Sequence, residues 1–117
     1  MLIRYKRNYE KIAMGLLSFV PTEKDLKKLQ QTMKEYEQNE HWQLYLWKQE
    51  EDIIGIVGIS MLDKSLIEVQ HVSVNPSHRQ QGIGKKMIKA LKEMYTTAQI
   101  KPSEIIAPFY EKCQADE

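Results

Sequence analysis

Residues 72–85, with the sequence VSVNPSHRQQGIGK, constrain the fold more than any other part of the chain. An apolar strand pattern leads into a loop whose two glycines, Gly82 and Gly84, lie where a helical pattern begins. The first backbone N–H groups of a helix have no intrahelical partner and form the positive end of its dipole, and glycine lets an anion approach the backbone closely. The segment therefore predicts a strand–loop–helix unit that binds phosphate.

The loop does not match two better-known glycine motifs of nucleotide-binding proteins. A Walker-type loop needs GxxxxGK[ST] and the dinucleotide motif needs GxGxxG, but position 79 is Arg and position 87 is Met. What remains is RxxGxG, from Arg79 to Gly84, which by itself also fits an ordinary loop before a helix. The flanking strand and helix favour the phosphate-binding interpretation.

The order Val-x-Asn-Pro, then RQQGIGK, then a long helix resembles the acetyl-CoA-binding motif of the GNAT superfamily of N-acetyltransferases. The resemblance implies an enzyme that uses acetyl-CoA as cosubstrate, with the CoA diphosphate on the loop amides and the pantetheine along the strand. On this resemblance the phosphate-binding residues are Arg79, Gln80, Gln81, Gly82, Ile83, Gly84 and Lys85, and the pantetheine-lining residues are Val72, Ser73 and Val74.

The apolar residues of the strand before this loop change phase partway along it. Ile67 and Val69 have odd numbers, whereas the valines after position 70 have even numbers. Because strand side chains alternate between faces, one extra residue at Gln70-His71, a β-bulge, would produce this change. A strand buried on both faces needs no bulge and is the alternative. By resemblance, the bulge marks the splayed fourth strand of an acetyltransferase.

Composition indicates one domain, over residues 1–117, without nucleic acid as its main partner. The chain is 42% hydrophobic and 28% charged, and its formal net charge is +1. Binding to a nucleic-acid backbone usually shows as a clear basic excess. Among the lysines of the helix after the glycine loop, Lys85 or Lys86 approaches the CoA phosphates in the functional interpretation, and Lys89 and Lys92 belong to a solvated face.

The single cysteine, Cys113, excludes an internal disulfide. With no signal peptide and no apolar run long enough to cross a bilayer, this predicts a cytoplasmic protein without a membrane partner. His41, His71 and His78 have no metal-ligand spacing with one another or with Cys113, so we expect no metal.

Apolar residues at intervals of three and four predict three helices. The first covers residues 9–19 and ends before Pro21, the second is capped by Thr22 with Asp25 at N3 and ends near residue 40, and the third covers residues 82–95. Their expected buried stripes are Ile12, Leu16 and Phe19; Leu26, Leu29, Met33 and Tyr36; and Ile83, Met87, Ile88, Leu91 and Met94.

Alternating patterns and turn residues predict strands at 2–5, 42–48 and 53–61, followed by the bulged strand and a last strand at 97–101 that Pro102 limits. The last strand follows a helix, so it should pair in parallel with the bulged strand, while the others form an antiparallel meander. The fold class is α/β (α+β): a mixed, mostly antiparallel sheet flanked by helices, with the parallel pair at the CoA site.

The segment SEIIAPFYEKC gives a second point of resemblance, since acetyltransferases commonly carry Asn-x-x-Ala-x-x-Phe-Tyr-Glu-Lys on a helix after the last of these strands. Residues 109–112 match, but Ser103 and Ile106 replace the Asn and the Ala, and Pro108 predicts a kinked or delayed helix. The resemblance implies that Tyr110 is the general acid that protonates the CoA thiolate. The alternative is a half-buried structural tyrosine.

The acceptor amine must lose a proton, and the family usually places a base near the bend of the bulged strand. Glu68 is the first candidate, and an exposed surface carboxylate is the alternative explanation for it. His71 is the second candidate, because imidazole titrates near neutral pH.

After Cys113 only four residues remain, so the sequence predicts a domain truncated at its C-terminus that lacks the last two strands usual in the family. The exposed edge of the fifth strand favours a homodimer. A non-catalytic acyl-CoA-binding or regulatory module is the alternative to an enzyme, and a structural or RNA-associated protein is least favoured. The chain also resembles the small acetyltransferase-like proteins of bacterial riboflavin operons, which implies a link to riboflavin metabolism with an unidentified amine acceptor.

Overall fold

The structure, a computed structural model, describes residues 1–115 of the chain; the side chain of Cys113, for which no metal or catalytic role is expected, lies outside the described part. One-turn 3-10 helices lie at Arg7–Tyr9, Pro21–Glu23 and Pro76–His78. The longer elements, in chain order, are β1 (Leu2–Arg4), α1 (Glu10–Leu17), α2 (Leu26–Gln38), β2 (Trp42–Gln49), β3 (Asp52–Asp63), β4 (Leu66–Val74), α3 (Ile83–Met94), β5 (Gln99–Pro102) and α4 (Ala107–Ala115).

The five strands form one sheet in the order β1-β2-β3-β4-β5. The first four pair antiparallel with their neighbours, and β5 pairs in parallel with β4 after the chain has crossed over through α3. The parallel pair requires such a crossover, because parallel strands cannot be joined by a tight turn. The predicted mixed sheet with a single parallel pair is confirmed.

Helices cover both faces of the sheet and enclose two apolar clusters. On one face α3 buries Ile83, Met87, Ile88 and Leu91 against the sheet. On the other face α1 and α2 pack against β2 and β3, with Leu46 and Ile56 fully buried between them. Because the sheet is covered on both sides, β3 is apolar along its whole middle section instead of alternating.

The buried stripe of α1 differs from the prediction. Ala13, Leu16 and Leu17 are buried, at spacings of three and one that define a single helical face. Ile12 is 41% exposed because it lies one position, about 100°, from that face, as the helical repeat requires. Phe19, which is 39% exposed, lies beyond the end of the helix, so its predicted place in the core is wrong.

The N-cap of α2 is Asp25, not Thr22. The Lys28 N–H donates to Asp25 Oδ2 at 3.1 Å, which satisfies one of the free amides of the first helical turn. Thr22 lies in the preceding 3-10 turn. Of the predicted stripe, Leu29, Met33 and Tyr36 are buried, but Leu26, the first helical residue, is 62% exposed.

The second half of the chain follows its predicted elements closely. Gly82 caps α3 with a φ of 74°, and the predicted stripe is buried except for Met94 at the exposed end. The C-terminal helix is delayed: α4 begins at Ala107 and Pro108 is its second residue. In that position the missing N–H of proline would have no helical partner anyway, so the proline does not disturb the helix.

The predicted β-bulge is confirmed. Gly58 of β3 lies opposite His71 of β4, but the next residue, Ile59, lies opposite Val69, so Gln70 is the extra residue. The bulge keeps the valines on both sides of it on the α3 face of the sheet. It also turns His71 to the opposite face, toward α1 and α2.

His71 belongs there to a cluster of buried polar side chains, which we call the polar cluster: Glu23, Thr32, Tyr36 and His71. The Tyr36 hydroxyl lies 2.5 Å from His71 Nδ1, and Glu23 Oε2 lies 3.3 Å from His71 Nε2. Thr32 donates to the other oxygen of Glu23. At the cluster's edge, Thr22 donates to Glu23 at 2.7 Å and Lys28 Nζ lies 3.1 Å from it.

The polar cluster keeps Glu23 ionised. Burial opposes the charge, but hydrogen bonds from His71, Thr32 and Thr22 outweigh it and lower the pKa of Glu23 to about 2. Burial, followed by the charge of Glu23, raises the pKa of Tyr36 well above its ordinary value, so the phenol keeps its proton. Both ring nitrogens of His71 are thus engaged, Nδ1 by the Tyr36 hydroxyl and Nε2 by the Glu23 carboxylate.

Gly58 provides the space for the Tyr36 hydroxyl. A Cβ at position 58 would lie 2.0 Å from that oxygen, which its hydrogen bond to His71 holds in place. We expect Gly58→Ala to lower the free energy of unfolding by about 3 kcal/mol or more, because the buried ring has no room to retreat. Gly15→Ala is the control: a Cβ there meets nothing within 4 Å, so this helical substitution should stabilise by about 0.5–1 kcal/mol. Urea unfolding measures both, and equal stabilities for the two variants would contradict the packing argument.

Glu23 should make the free energy of unfolding depend on pH in the acidic range. Because the folded pKa of Glu23 is about 2 and its ordinary value is 4.5, its contribution is complete above pH 4.5 and is lost as the pH falls toward 2. We expect the stability advantage of the wild type over Glu23→Gln to shrink over that range by up to about 3 kcal/mol. Urea unfolding at a series of pH values measures it, and Glu51→Gln, at an exposed turn, should follow the wild type. A constant difference between wild type and Glu23→Gln would show that Glu23 does not titrate as described.

Candidate functional site

Strands β4 and β5 separate just before the bulge. Their pairing runs from Leu66 opposite Gln99 to Val69 opposite Pro102, and the Ser103 N–H donates to the Val69 carbonyl at 2.9 Å. Within the described residues, no β5 residue pairs with β4 beyond that point. The edge of β4 from Gln70 onward therefore faces an opening in the sheet, where its backbone groups are available to a ligand.

The loop that follows β4 leads into the N-terminus of α3 at the same opening. Gln80 and Gly82 have φ angles of 65° and 74°, and this alternation of left-handed residues turns the chain sharply toward the helix. The first helical hydrogen bond runs from the Lys86 N–H to the Gly82 carbonyl at 3.0 Å. The amides of Ile83 and Gly84 precede it and lie at the positive end of the helix dipole.

A cavity of about 130 Å³ lies between the open edge of β4, this loop, the end of α1 and α4. None of the described residues that line it is acidic, whereas Arg79 and Lys112 are basic, so the cavity favours an anion. Its described lining residues are Phe19, Val72, Ser73, Val74, His78, Arg79, Gln80, Gly82, Ile83, Gly84, Phe109 and Lys112.

The Arg79 side chain is held in place at this cavity. Its Nε donates to the Val74 carbonyl at 3.1 Å, and its guanidinium carbon lies 5.4 Å from the centroid of the Phe19 ring. Cation–π contacts of this kind are favourable and restrict the guanidinium. Arg79 therefore presents a positive group that is already oriented by the strand on one side and by Phe19 on the other.

Ser73 gives the cavity a polar group that lacks a partner. The residue is only 6% exposed, and its Oγ has no hydrogen-bond partner among the described residues. Buried hydroxyls are nearly always hydrogen-bonded in folded proteins. Because Ser73 also lines the cavity, its hydroxyl is available to a polar group of a ligand.

The structure brings together most of the residues expected to bind CoA. The three strand residues, Val72, Ser73 and Val74, and the loop residues Arg79, Gln80, Gly82, Ile83 and Gly84 all line the cavity. Gln81 and Lys85 belong to the same loop and helix start but are not among its lining residues.

Four further lining residues were not predicted for the site: Phe19, His78, Phe109 and Lys112. Phe109 and Lys112 lie within the recognised FYEK segment, so their proximity to Tyr110 was the available signal. Phe19 is far from the loop in sequence and was expected in the core. Only the packing of the end of α1 against β4 reveals it.

Tyr110 lies on α4 between two cavity-lining residues, Phe109 and Lys112, but does not itself belong to the described lining. Its half-buried ring packs against the apolar cluster on the α3 side of the sheet. Burial raises the pKa of the Tyr110 phenol, so the hydroxyl carries its proton at neutral pH. This is the protonation state that a general acid requires.

Glu68 and His71, the two candidate bases, lie on the same face of the sheet but in different environments. Glu68 is half-buried between Ile67 and Val69, opposite Ser60 of β3, and points away from α3. His71 is 5% exposed, and both of its ring nitrogens contact the polar cluster. Glu68 is therefore the more accessible of the two.

Two findings concern other kinds of site. Residues 1–115 contain no helix with the length and apolar character needed to cross a membrane. Among the side chains that the structure describes, those of residues 1–112, no three His, Cys, Asp or Glu side chains are grouped so that they could hold a metal ion.

Known proteins resemble this chain in fold and in sequence. Two solved structures share the fold: AAC(6')-Iy in complex with the bisubstrate analogue CoA-S-monomethyl-acetylneamine (TM-score 0.73, 14% identity, covering 100% of this chain and 90% of that one), and a GNAT family acetyltransferase from Elizabethkingia anophelis with acetyl-CoA bound (TM-score 0.65, 18% identity, covering 86% of this chain and 61% of that one).

The sequence itself has a closer relative. A Bacillus methanolicus protein described as an uncharacterized N-acetyltransferase in the lysA 3' region is 61% identical over 114 residues, which is 97% of this chain and 95% of the relative. The family model described as "Acetyltransferase (GNAT) family" matches residues 10–113. With nearly its whole length matched, the chain belongs to the acetyltransferase (GNAT) family.

Proposed function

We propose that this acetyltransferase takes an acetyl group from acetyl-CoA and transfers it to the amine of an acceptor. The observation that carries the proposal is the opening between β4 and β5, where an unpaired strand edge meets the N-terminus of α3. The cavity at this opening has basic but no acidic side chains among its described lining residues. A long molecule with an anionic end and a peptide-like arm suits this combination. The relatives' bound CoA compounds support the same choice.

In this proposal the diphosphate of CoA lies at the glycine loop. The amides of Ile83 and Gly84 and the guanidinium of Arg79 supply positive charge, with Gln80 to Gly82 shaping the turn and Lys85 close to the phosphates. The pantetheine arm lies along Val72 to Val74, where its amides pair with the open strand edge and the Ser73 hydroxyl receives a polar group. The proposal includes no metal, since the backbone amides and the Arg79 guanidinium stabilise the phosphate charge.

The chemistry is a direct transfer. The acceptor nitrogen attacks the thioester carbonyl, a C–N bond forms, and the C–S bond breaks to release the CoA thiolate. Tyr110 gives its proton to that thiolate. Glu68, through a water molecule, receives the proton that the acceptor ammonium loses. His71 is the alternative base, but its ring nitrogens are already engaged by Tyr36 and Glu23.

The acceptor is an amine whose identity the fold does not specify, because function depends on the site and not on the architecture. A link to riboflavin metabolism follows from the sequence resemblance, and amines of that pathway belong in the panel of acceptors to be tested. A cytoplasmic location and a homodimer through the short edge strand β5 are part of the same proposal. Light scattering after size-exclusion chromatography measures the oligomeric state.

Arg79 should contribute to CoA affinity through its charge. We expect Arg79→Ala to weaken CoA binding about tenfold to a hundredfold, because a charge-assisted hydrogen bond to phosphate is lost. Lys89→Ala, which removes an exposed cation of α3 outside the cavity, is the matched control and should bind as the wild type does. Isothermal titration calorimetry measures both dissociation constants. No binding of CoA by the wild type at millimolar concentration would exclude the proposed function.

Tyr110 should act in turnover and not in CoA binding. We expect Tyr110→Phe to lower the release of CoA thiol from acetyl-CoA and an amine about 100-fold or more, because the leaving thiolate loses its proton donor. CoA affinity should stay unchanged, since the phenyl ring keeps its packing. Tyr9→Phe, another half-buried tyrosine, is the control for loss of a hydroxyl. Full turnover by Tyr110→Phe would assign that phenol a structural role. If the wild type binds CoA but acetylates no amine of the panel, the non-catalytic module is favoured.

A further inference from the structure

The polar cluster enters the proposed reaction only through His71 as the alternative base, although all four of its members are buried. Glu23 is 1% exposed, Thr32 3%, His71 5% and Tyr36 7%. Ionised and polar groups are rarely buried to this degree unless they are paired, and breaking such a set of contacts is costly. The residues come from four segments: the 3-10 turn before α2, two successive turns of α2, and β4.

The cluster and the bulge depend on each other. The extra residue, Gln70, is what places His71 on the face where Tyr36 and Glu23 lie. If β4 slipped by one residue so that the bulge disappeared, His71 would turn to the apolar α3 face and lose both partners. The hydrogen bonds to His71 therefore stabilise the bulged arrangement relative to the regular one.

Tyr36 is placed for this role by a second contact. Its hydroxyl lies directly over Gly58, the residue of β3 that is opposite His71, in space that any other side chain would fill. The ring also packs at 5.0 Å from Trp42 of β2. Tyr36 is thus fixed by the sheet and in turn fixes His71, one residue before the strand segment that lines the cavity.

The position of the bulge also decides where the sheet opens. Pairing with β5 ends at Val69, immediately before Gln70, and the cavity-lining segment begins at Val72, immediately after His71. A slip of β4 would move Val72 and Val74 off the α3 face and turn Ser73 away from its present side. The geometry of the open edge therefore depends on the phase that the bulge imposes.

We propose that Glu23, Tyr36 and His71 are positioning residues that lock the bulge of β4 and thereby preorganise the strand edge that receives the ligand. The inference rests on the proposed function for the identity of that ligand, acyl-CoA, but the locking of the bulge itself does not. None of the three residues needs to touch the ligand. Their effect is to keep a single register of β4 populated before binding.

Tyr36→Phe tests this inference, because it removes the hydroxyl and leaves the ring. We expect hydrogen exchange of the backbone amides in residues 66–75 to accelerate about tenfold, since one buried hydrogen bond to the bulge is lost. CoA affinity should fall several-fold in parallel. Thr32→Val, which removes the hydroxyl that donates to Glu23, is a second variant and should act in the same direction.

Tyr45→Phe is the matched control. Tyr45 is also a buried tyrosine, and its hydroxyl lies 2.5 Å from the hydroxyl of Tyr95 in a partly buried hydrogen bond, so its loss removes a tyrosine hydrogen bond outside the polar cluster. We expect this variant to lose thermal stability to a similar extent while exchange in residues 66–75 and CoA affinity stay at wild-type values. A purely structural role for Tyr36 would instead give the same profile for both variants.

The possible outcomes separate the inference from the function on which it rests. Unchanged exchange in residues 66–75 of Tyr36→Phe and Thr32→Val would overturn the locking of the bulge. Faster exchange with unchanged CoA affinity would overturn its role in preorganising the site. A wild-type protein that binds no CoA would refute the proposed function, while the exchange comparison of Tyr36→Phe with Tyr45→Phe would still confirm or refute the lock.

Discussion

One extra residue in β4 organises the rest of the site. Gln70 shifts the alternation of the strand by one position, so that valines before and after it all face α3 while His71 faces the other layer. A regular strand would put His71 in the apolar cluster, where an unpaired imidazole would be strongly unfavourable. The bulge solves this conflict, and the end of β5 pairing at the adjacent Val69 makes the same place the opening of the sheet.

The electrostatics on the two sides of this strand are different. On the cavity side, the helix amides, the Arg79 guanidinium and the Lys112 ammonium leave a positive potential for an anion to neutralise. On the side of the polar cluster, the carboxylate of Glu23 is balanced within the protein by hydrogen bonds and by Lys28. The uncompensated positive charge of the cavity suits ligand binding, whereas the internally balanced charge of the polar cluster suits a structural role. The two regions lie on opposite sides of β4.

Local patterns in the sequence were sufficient for the sheet, the bulge and the glycine loop. The parity change around Gln70 and the order of strand, RQQGIGK and helix are signals carried by neighbouring residues, and the structure follows them. The residues that the sequence did not reveal lie far apart in it. Phe19 reaches the cavity only through packing of the end of α1, and the polar cluster joins positions 23, 36 and 71. Thr22 and Asp25 both suit a helix N-cap, so the local sequence did not distinguish them. Because Thr22 lies within the 3-10 turn, the N-cap of α2 is Asp25.

The contact of Arg79 with the Phe19 ring has a consequence for how binding energy is distributed. A free arginine loses about 2 kcal/mol of side-chain entropy when a ligand immobilises it, and here the Val74 carbonyl and the aromatic ring have already removed much of that freedom. When a phosphate binds this guanidinium, the additional loss of side-chain entropy is therefore small. The strength of anion capture accordingly depends on a phenylalanine that carries no charge and belongs to a distant part of the chain.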